Sequence, residues 1–224
     1  MQEELFVSGR NIPNIDPSLE VWHWPISVYL FLGGLAAGLL FFAGLISVLK
    51  KENDYPAAVK FASIVSPIAL TLGLIALFYD LTHKIYFWKL YTTVRIESPM
   101  SWGAWVLLII TPLSFLWVFS YYSELFPKWN LKAQFLQNFE KFLVQHRRTM
   151  AIALIPLAII LGIYTGILLS AFNARPLWNN AILGPLFLTS GLSTGAAVII
   201  LLAKSLKERH LFSKIDLALI VIEL

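Results

Sequence analysis

Five residues carry chemistry that a membrane span does not tolerate without a use: His23, Asp80, His83, Tyr164 and Arg175. Polar and ionisable groups inside a bilayer are costly, so each one needs a partner or a task. On the apolar spans of the chain, His23 falls at the mouth of the first helix. Asp80 and His83 fall at the far end of the second. Tyr164 lies about two-thirds of the way along the fourth, and Arg175 follows that helix. An aromatic belt explains Trp and Tyr at this depth, but it does not explain Asp80. Imidazole titrates near neutrality, a phenol donates to a carbonyl, and a desolvated carboxylate accepts protons. Such a set suits a redox-active quinone, whose ring needs an apolar slot, donors to two carbonyls and a proton exchanger. The same residues would serve a transporter that binds an anion. The plain alternative for Asp80 is an ion pair with Lys84 or Arg175.

The chain has 224 residues, 58% hydrophobic and 13% charged, with a mean hydropathy of +0.73. A soluble domain carries about 25% charged residues, so a water-soluble globular fold and disorder are both excluded. Cysteine is absent, which removes disulfides, thiolate zinc and iron–sulfur ligation by these residues. His146 and His210 lie in loops and His23 and His83 at helix ends, so no pair faces across the bundle to hold a haem.

A span needs about 20 mostly apolar residues. Five segments qualify: Pro25–Leu49, Ala57–Tyr79, Trp102–Tyr122, Met150–Ala171 and Ala181–Ala203. A sixth begins near Leu211 and is expected to stop inside a helix at Leu224, as a truncated span. The expected fold is therefore all-α, a polytopic transmembrane bundle of five full spans plus a truncated sixth. The first four spans form a four-helix bundle over 23–171, residues 1–22 form an N-terminal segment, and 172–224 begin a second, incomplete bundle.

With Lys60 assigned to the first loop, Lys and Arg outside the spans divide twelve to five, with the excess on loops one, three and five. Basic residues collect on cytoplasmic loops. The N-terminus is thus expected outside (periplasmic in a Gram-negative cell), with the chain multi-pass in the inner membrane. The +4 net charge reads as topology, not as nucleic-acid binding. Within loop three, Leu131, Phe135, Leu136, Phe139, Phe142 and Leu143 recur at helical spacing opposite polar residues. That pattern predicts an interfacial amphipathic helix over 131–146.

Gly34-Leu35-Ala36-Ala37-Gly38 in the first span has an echo, Gly191-Leu192-Ser193-Thr194-Gly195, in the fifth. Small residues four apart permit close helix contact. Two independent packing motifs would explain the echo. So would a four-helix unit used twice in parallel, which would make eight spans in a complete protein.

The residues also carry a resemblance. Trp24-Pro25-Ile26 through Tyr29 to Gly38 is one stretch. Asp80-Leu81, Phe87-Trp88 and Ser98-Pro99-Met100-Ser101-Trp102-Gly103-Ala104-Trp105 form a second. Tyr164-Thr165-Gly166 with Ala174-Arg175-Pro176-Leu177-Trp178-Asn179 form a third, and Asp216 with Glu223 a fourth. Together the chain resembles the NrfD-like family of polysulfide reductase membrane subunits. The resemblance implies a quinone-reactive integral membrane subunit, with menaquinone or another quinone as diffusible cofactor and no haem or metal of its own. It implies a four-cluster ferredoxin-like iron–sulfur partner subunit and often a molybdopterin catalytic subunit. On it, His23, Asp80 and Tyr164 become quinone-site residues and Arg175 a supporting charge. His83, Lys84, Ser98, Trp102 and Trp178 belong to a docking face on the outer side, and Asp216 and Glu223 to a proton path. The second loop departs from the family pattern. Where many members have Gly-Arg-Pro after Asp-Leu, this chain has Thr82-His83-Lys84, with Lys84 in place of the positive charge. A proton-linked transporter and a passive membrane anchor remain the competing readings.

Overall fold

Apolar runs without polar interruption have one stable form in lipid, since every backbone N–H and C=O must be satisfied within the segment. A computed structural model describes residues 24–81, 83–95, 97–127, 133–170 and 180–224, and the described residues contain helices and no strands. His23, Arg175 and Trp178, and the expected N-terminal segment 1–22, lie outside the described residues. The elements are α1 (Trp24–Val48), a π-helical turn (Ala57–Phe61) leading into α2 (Ala62–Asp80), α3 (Lys89–Thr92), α4 (Pro99–Phe119), α5 (Tyr122–Leu125), α6 (Gln134–Ser170), α7 (Leu183–Leu202) and α8 (Leu206–Glu223). Five stretches are long and apolar enough to cross a membrane, and they contain the five expected spans except for residues at their ends. The chain is an all-α, multi-pass membrane protein.

Helix α1 is the hub. It packs along α2, α6 and α7, while α4 closes a four-helix ring by packing on α2 and α6. Helix α7 lies against α1 and α6, and α8 lies along α7. The ring therefore has one end bearing Trp24, Asp80, Pro99, Ser170 and Leu183, and an opposite end bearing Val48, Ala62, Phe119 and Leu202.

Two expected boundaries are corrected. Residues 134–146 are not a separate surface helix; they are the first turns of α6, which runs unbroken for 37 residues. At 1.5 Å per residue α6 is about 55 Å long, against a hydrocarbon core of about 30 Å. The charged run His146-Arg147-Arg148 ends the apolar stretch but contains no helix breaker. Part of the amphipathic face is covered by the protein itself, where Phe139 sits 5.7 Å from the Phe119 ring. Phe135 remains 77% exposed. Helix α8 likewise starts at Leu206, not near Leu211. Its first turns are charged, which hides them from a hydropathy reading.

The Val48 end is held by charges. Lys60 and Arg147 both pair with Glu124, at 2.6 and 2.8 Å, which ties the start of α2 and the middle of α6 to α5. Burial works against the Glu124 carboxylate, but the two cations outweigh it and hold its carboxyl below the ordinary range. The Arg147 guanidinium lies 3.7 Å from the centre of the Tyr121 ring. Lys50 closes α1 in the left-handed region, φ 57°. Lys51 N–H donates to Ile46 O and Lys50 N–H to Ser47 O, the bonding of a Schellman end.

The two glycine motifs meet each other. A Cβ added at Gly191 would lie 2.7 Å from Gly34 O, and one at Gly195 would lie 2.8 Å from Gly38 C. A Cβ at Gly38 would strike Gly191 O. Helices α1 and α7, which run in the same direction, thus touch backbone to backbone. Gly38→Ala is expected to destabilise the detergent-solubilised protein by about 1–3 kcal/mol through overpacking. Gly33→Ala has nothing within 4 Å of its new methyl and should stay within about 0.5 kcal/mol. Thermal unfolding of the two variants checks this; equal midpoints would rule the crossing out.

Candidate functional site

The Trp24 end gathers the polar groups that the sequence singled out. Tyr164 lies on α6, six residues before its end, and is 7% exposed. Its ring fills the place where a side chain at Gly103 would stand, because a Cβ there would collide with the ring carbons. The Tyr164 motif and the Ser98–Gly103 motif, 61 residues apart between Gly103 and Tyr164, are therefore one site.

Local chemistry sets the position of Gly103. Ser98 is extended, with φ −101° and ψ 117°, and Pro99 opens α4 at its first turn, where its missing N–H is no loss. Ser101 is buried and folds the preceding strand of chain over the helix start. Its hydroxyl accepts from Arg95 N–H at 3.2 Å and donates to Thr93 O at 3.4 Å.

Facing Tyr164 from α1 is Tyr29, 3% exposed. Gly73 of α2 lies beside it, with the Tyr29 ring 3.5 Å from where a Gly73 Cβ would stand, an ordinary contact distance. The Tyr29 hydroxyl interacts electrostatically with the Tyr164 hydroxyl and, more weakly, with that of Tyr91 on α3. Among the described residues no partner meets it at ordinary hydrogen-bond geometry, although a weak hydrogen bond with Tyr164 contributes to that interaction. A buried hydroxyl without a partner costs about 1–3 kcal/mol. Tyr29 sits inside a stretch that the sequence marked, but its pairing with Tyr164 across two helices has no periodic signature.

Asp80 closes α2, seven residues beyond Gly73 and so about 10 Å further toward the same end. It is partly buried and engaged within the protein. His83 and Lys84 are exposed in the turn that follows, and the Lys84 ammonium lies 4.8 Å from the Tyr79 ring. Ser98 is partly buried and Trp102 is 55% exposed. These residues share one end of the bundle.

Asp216 and Glu223 are on α8. The Asp216 carboxylate accepts from Ser193 Oγ at 2.6 Å, which joins it to the second glycine motif on α7. One Glu223 carboxylate oxygen is buried and has no hydrogen-bond partner among the described residues. Seven residues separate the two, so they lie on one helix face about 10 Å apart and do not touch.

Sequence reasoning missed Glu208, one of the residues of α8 read as loop. Its side chain is fully buried and accepts from the backbone N–H groups of Ala57 at 3.3 Å and Ala58 at 3.0 Å. It thereby satisfies donors at the start of the π-helical turn, where the chain has no carbonyl to offer. A carboxylate three residues after an extended Ser205 in a polar turn was the available signal. Burial raises the Glu208 carboxyl above its ordinary 4.5, and the two N–H donors offset this in part. A raised carboxyl favours the protonated folded state. Its stabilising contribution is present below pH 4.5 and is lost as pH rises through the raised value. Glu208→Gln keeps an acceptor and removes that dependence. The parent's midpoint should fall relative to Glu208→Gln as pH rises through this window. A constant difference between the two from pH about 4 to 8 would refute the assignment.

Fold and site define a polytopic membrane protein with two buried phenols at one end of its first four spans. The chain belongs to the family described as polysulphide reductase, NrfD, whose family model matches residues 12–224. It is 36% identical over 200 residues to protein NrfD of Escherichia coli (strain K12), covering 84% of this chain and 61% of that relative. It is 36% identical over 178 residues to a polysulfide reductase subunit of Wolinella succinogenes, covering 78% of this chain and 56% of that one. It is 32% identical over 229 residues to the NrfD homolog of Haemophilus influenzae, covering 95% and 70%. The chain thus spans roughly three-fifths of the length of the first two relatives.

Proposed function

We propose that this chain is the quinone-reactive membrane subunit of a respiratory oxidoreductase complex. On this reading it exchanges electrons between menaquinone, or another quinone, and an iron–sulfur partner subunit. The observation that carries it is the joining of Tyr164 to the Ser98–Gly103 motif, with a buried, unpartnered phenol on Tyr29 beside it. Family membership supports it, as does the name of the Wolinella relative, which is part of a polysulfide reductase.

The residues present fit a quinone. The Trp24 end offers buried phenols as donors to a carbonyl oxygen, among apolar residues of α1, α4 and α6. When bound, a quinone supplies two-electron, two-proton redox chemistry. Tyr164 holds a carbonyl oxygen by hydrogen bonding, with His23 as its expected counterpart. Asp80 exchanges a proton, and Arg175 adds positive charge. The 224 residues contain no cysteine, so on this reading the clusters belong to the partner, a four-cluster ferredoxin-like subunit followed by a molybdopterin catalytic subunit. His83, Lys84, Ser98, Trp102 and Trp178 form the docking face. The Trp24 end faces the periplasm across the inner membrane. The gathering of Lys50, Lys51, Lys60, Arg147 and Arg148 toward the Val48 end supports that orientation. Asp216 and Glu223, stacked on one face of α8, are the candidates for a proton path.

In the complex assembled with its partner subunits, Asp80→Asn should slow quinol oxidation by about 100-fold or more, the usual weight of a general base. Tyr164→Phe should slow it by about 10-fold, one hydrogen bond to the reacting oxygen. Assembly should be unchanged in both. Quinol-dependent reduction of the partner's clusters is the measurement. Parent rates in both variants would overturn the site; a complex whose clusters never respond to quinol would leave only a membrane anchor.

A further inference from the structure

Several helical hydroxyls in this bundle fold back on their own helix. Thr71 donates to Pro67 O, Ser114 to Thr111 O, Ser120 to Trp117 O and Thr165 to Gly162 O, each at 2.7 Å. Ser66 and Thr111 do not. Their hydroxyl oxygens are buried and have no partner among the described residues, and Ser66 as a whole is 0% exposed. Buried hydroxyls are bonded to protein or to ordered water with few exceptions.

Each of the two stands immediately before a proline inside its helix, Pro67 in α2 and Pro112 in α4. Proline has no N–H, so the carbonyl four residues earlier loses its helical donor. Those carbonyls are Ser63 O and Leu108 O. Helix α6 repeats the feature at Pro156, which leaves Ile152 O without its donor. In a membrane span a freed carbonyl is satisfied by a neighbouring side chain or by ordered water.

The interruptions lie at one depth. Trp117 Nε1 donates to Val59 O at 3.3 Å, which sets α4 against α2. Thr111 comes six residues before Trp117 and Ser66 seven after Val59. In these antiparallel helices the two hydroxyls are therefore within about one turn of each other in depth. Pro112 lies nine residues from Gly103 and Pro156 eight from Tyr164, whose ring rests on Gly103. On α1 the level falls at Ala36 and Ala37, both buried and each carrying only a methyl. Ser66 is seven residues, about 10 Å, further into the bundle than Gly73, which lies beside Tyr29. The level is thus separate from the pair of phenols.

We infer that the middle of the first four-helix ring binds ordered water, held by the Ser66 and Thr111 hydroxyls and by the carbonyls that Pro67 and Pro112 leave free. A buried water makes about three hydrogen bonds. This level supplies two hydroxyls and two freed carbonyls from neighbouring helices. The water takes the place of the backbone bonds that the prolines remove and joins α2 to α4, the least extensive pairing in the ring. The inference goes beyond the quinone reading and does not depend on it, since its ligand is solvent and its residues are not those of the phenol site.

The test uses the full chain in lipid nanodiscs, equilibrated with H₂¹⁸O and exposed to a brief X-ray pulse. Radiolysis of bound water oxidises the side chains beside it, and mass spectrometry reads the heavy oxygen they gain. Leu70 is buried one turn from Ser66, and Ile110 is buried next to Thr111. Both should be labelled severalfold faster than Ile199, a buried residue of α7. Ser66→Ala combined with Thr111→Val removes both hydroxyls with little change of shape. Labelling at Leu70 and Ile110 should then fall severalfold, and the midpoint of thermal unfolding should drop. Pro67→Ala gives Ser63 O its donor back and should lower the labelling at Leu70.

Parent labelling no faster than at Ile199 overturns the inference, because the interior is then dry and the hydroxyls turn back on their own helices. Labelling that survives the double variant also overturns it, since other groups would hold the water. So does a double variant more stable than the parent, because an apolar replacement helps only where the hydroxyls have no partner at all. If the double variant does not fold, Pro67→Ala decides: labelling it leaves unchanged counts against water at these carbonyls.

Discussion

The backbone contact between Gly34-x-x-x-Gly38 and Gly191-x-x-x-Gly195 is the constraint on which the rest of the bundle depends. In lipid, apolar side chains gain nothing by leaving one apolar medium for another, so helices associate through close packing and polar contact. Helix α1 meets its neighbours at glycines on several sides. Gly38 sits against α7, and a Cβ at Gly44 would lie 2.9 Å from Ala151 O on α6. Gly166 lets the start of α7 close on α6 at Leu183. With α1 fixed on these sides, the depth and rotation of Tyr29 are fixed too, and Gly103 receives the Tyr164 ring. The site is thus a consequence of where side chains are missing as much as of where they are present.

The two ends of the bundle use opposite chemistry. At the Val48 end, charges are matched. Glu124 joins Lys60 and Arg147, Glu140 accepts from Ser123 N–H at 2.8 Å and from its hydroxyl at 2.7 Å, and Lys207 reaches Asp54 at 3.2 Å. Glu208 pins α8 to the start of α2. Polar groups there are spent on structure. At the Trp24 end the described phenols are close but incompletely bonded, and Ile85, Tyr86, Phe87, Trp88 and Trp102 stand exposed. Among the described residues, buried groups without a partner occur at both ends, Tyr29 at one and Tyr121 with Arg147 Nε at the other, so the contrast lies in the pairing of charges.

Much of this is legible in the residues. The spans follow from apolar length, and the glycine echo names both partners of the central contact, although it does not say that they touch each other. Hydropathy fails where charge and helix diverge. His146-Arg147-Arg148 ends an apolar run but not α6, and Lys207-Glu208-Arg209-His210 begins α8 while looking like a loop. Tyr29 escapes notice because an apolar first helix with one tyrosine reads as an interface aromatic. Its importance comes from Tyr164, 135 positions away, and only packing joins them. Glu208 escapes notice because a charged residue in a polar turn is ordinarily solvated, and only the buried N–H groups of Ala57 and Ala58 give it a reason to be inside.

Depth supplies the remaining argument. Tyr29 lies five residues inside α1, Gly103 four inside α4 and Tyr164 six before the end of α6. At 1.5 Å per residue each is within about 10 Å of its helix end. An ion carrier that moves its cargo across the membrane places its site near the middle, at a point that both sides can reach in turn. A subunit that must hand electrons to a docked partner needs the reverse, a site shallow enough to lie beside that partner yet dry enough to hold a quinone ring. Phenols just inside one end fit the second requirement, which is the one the proposed function makes.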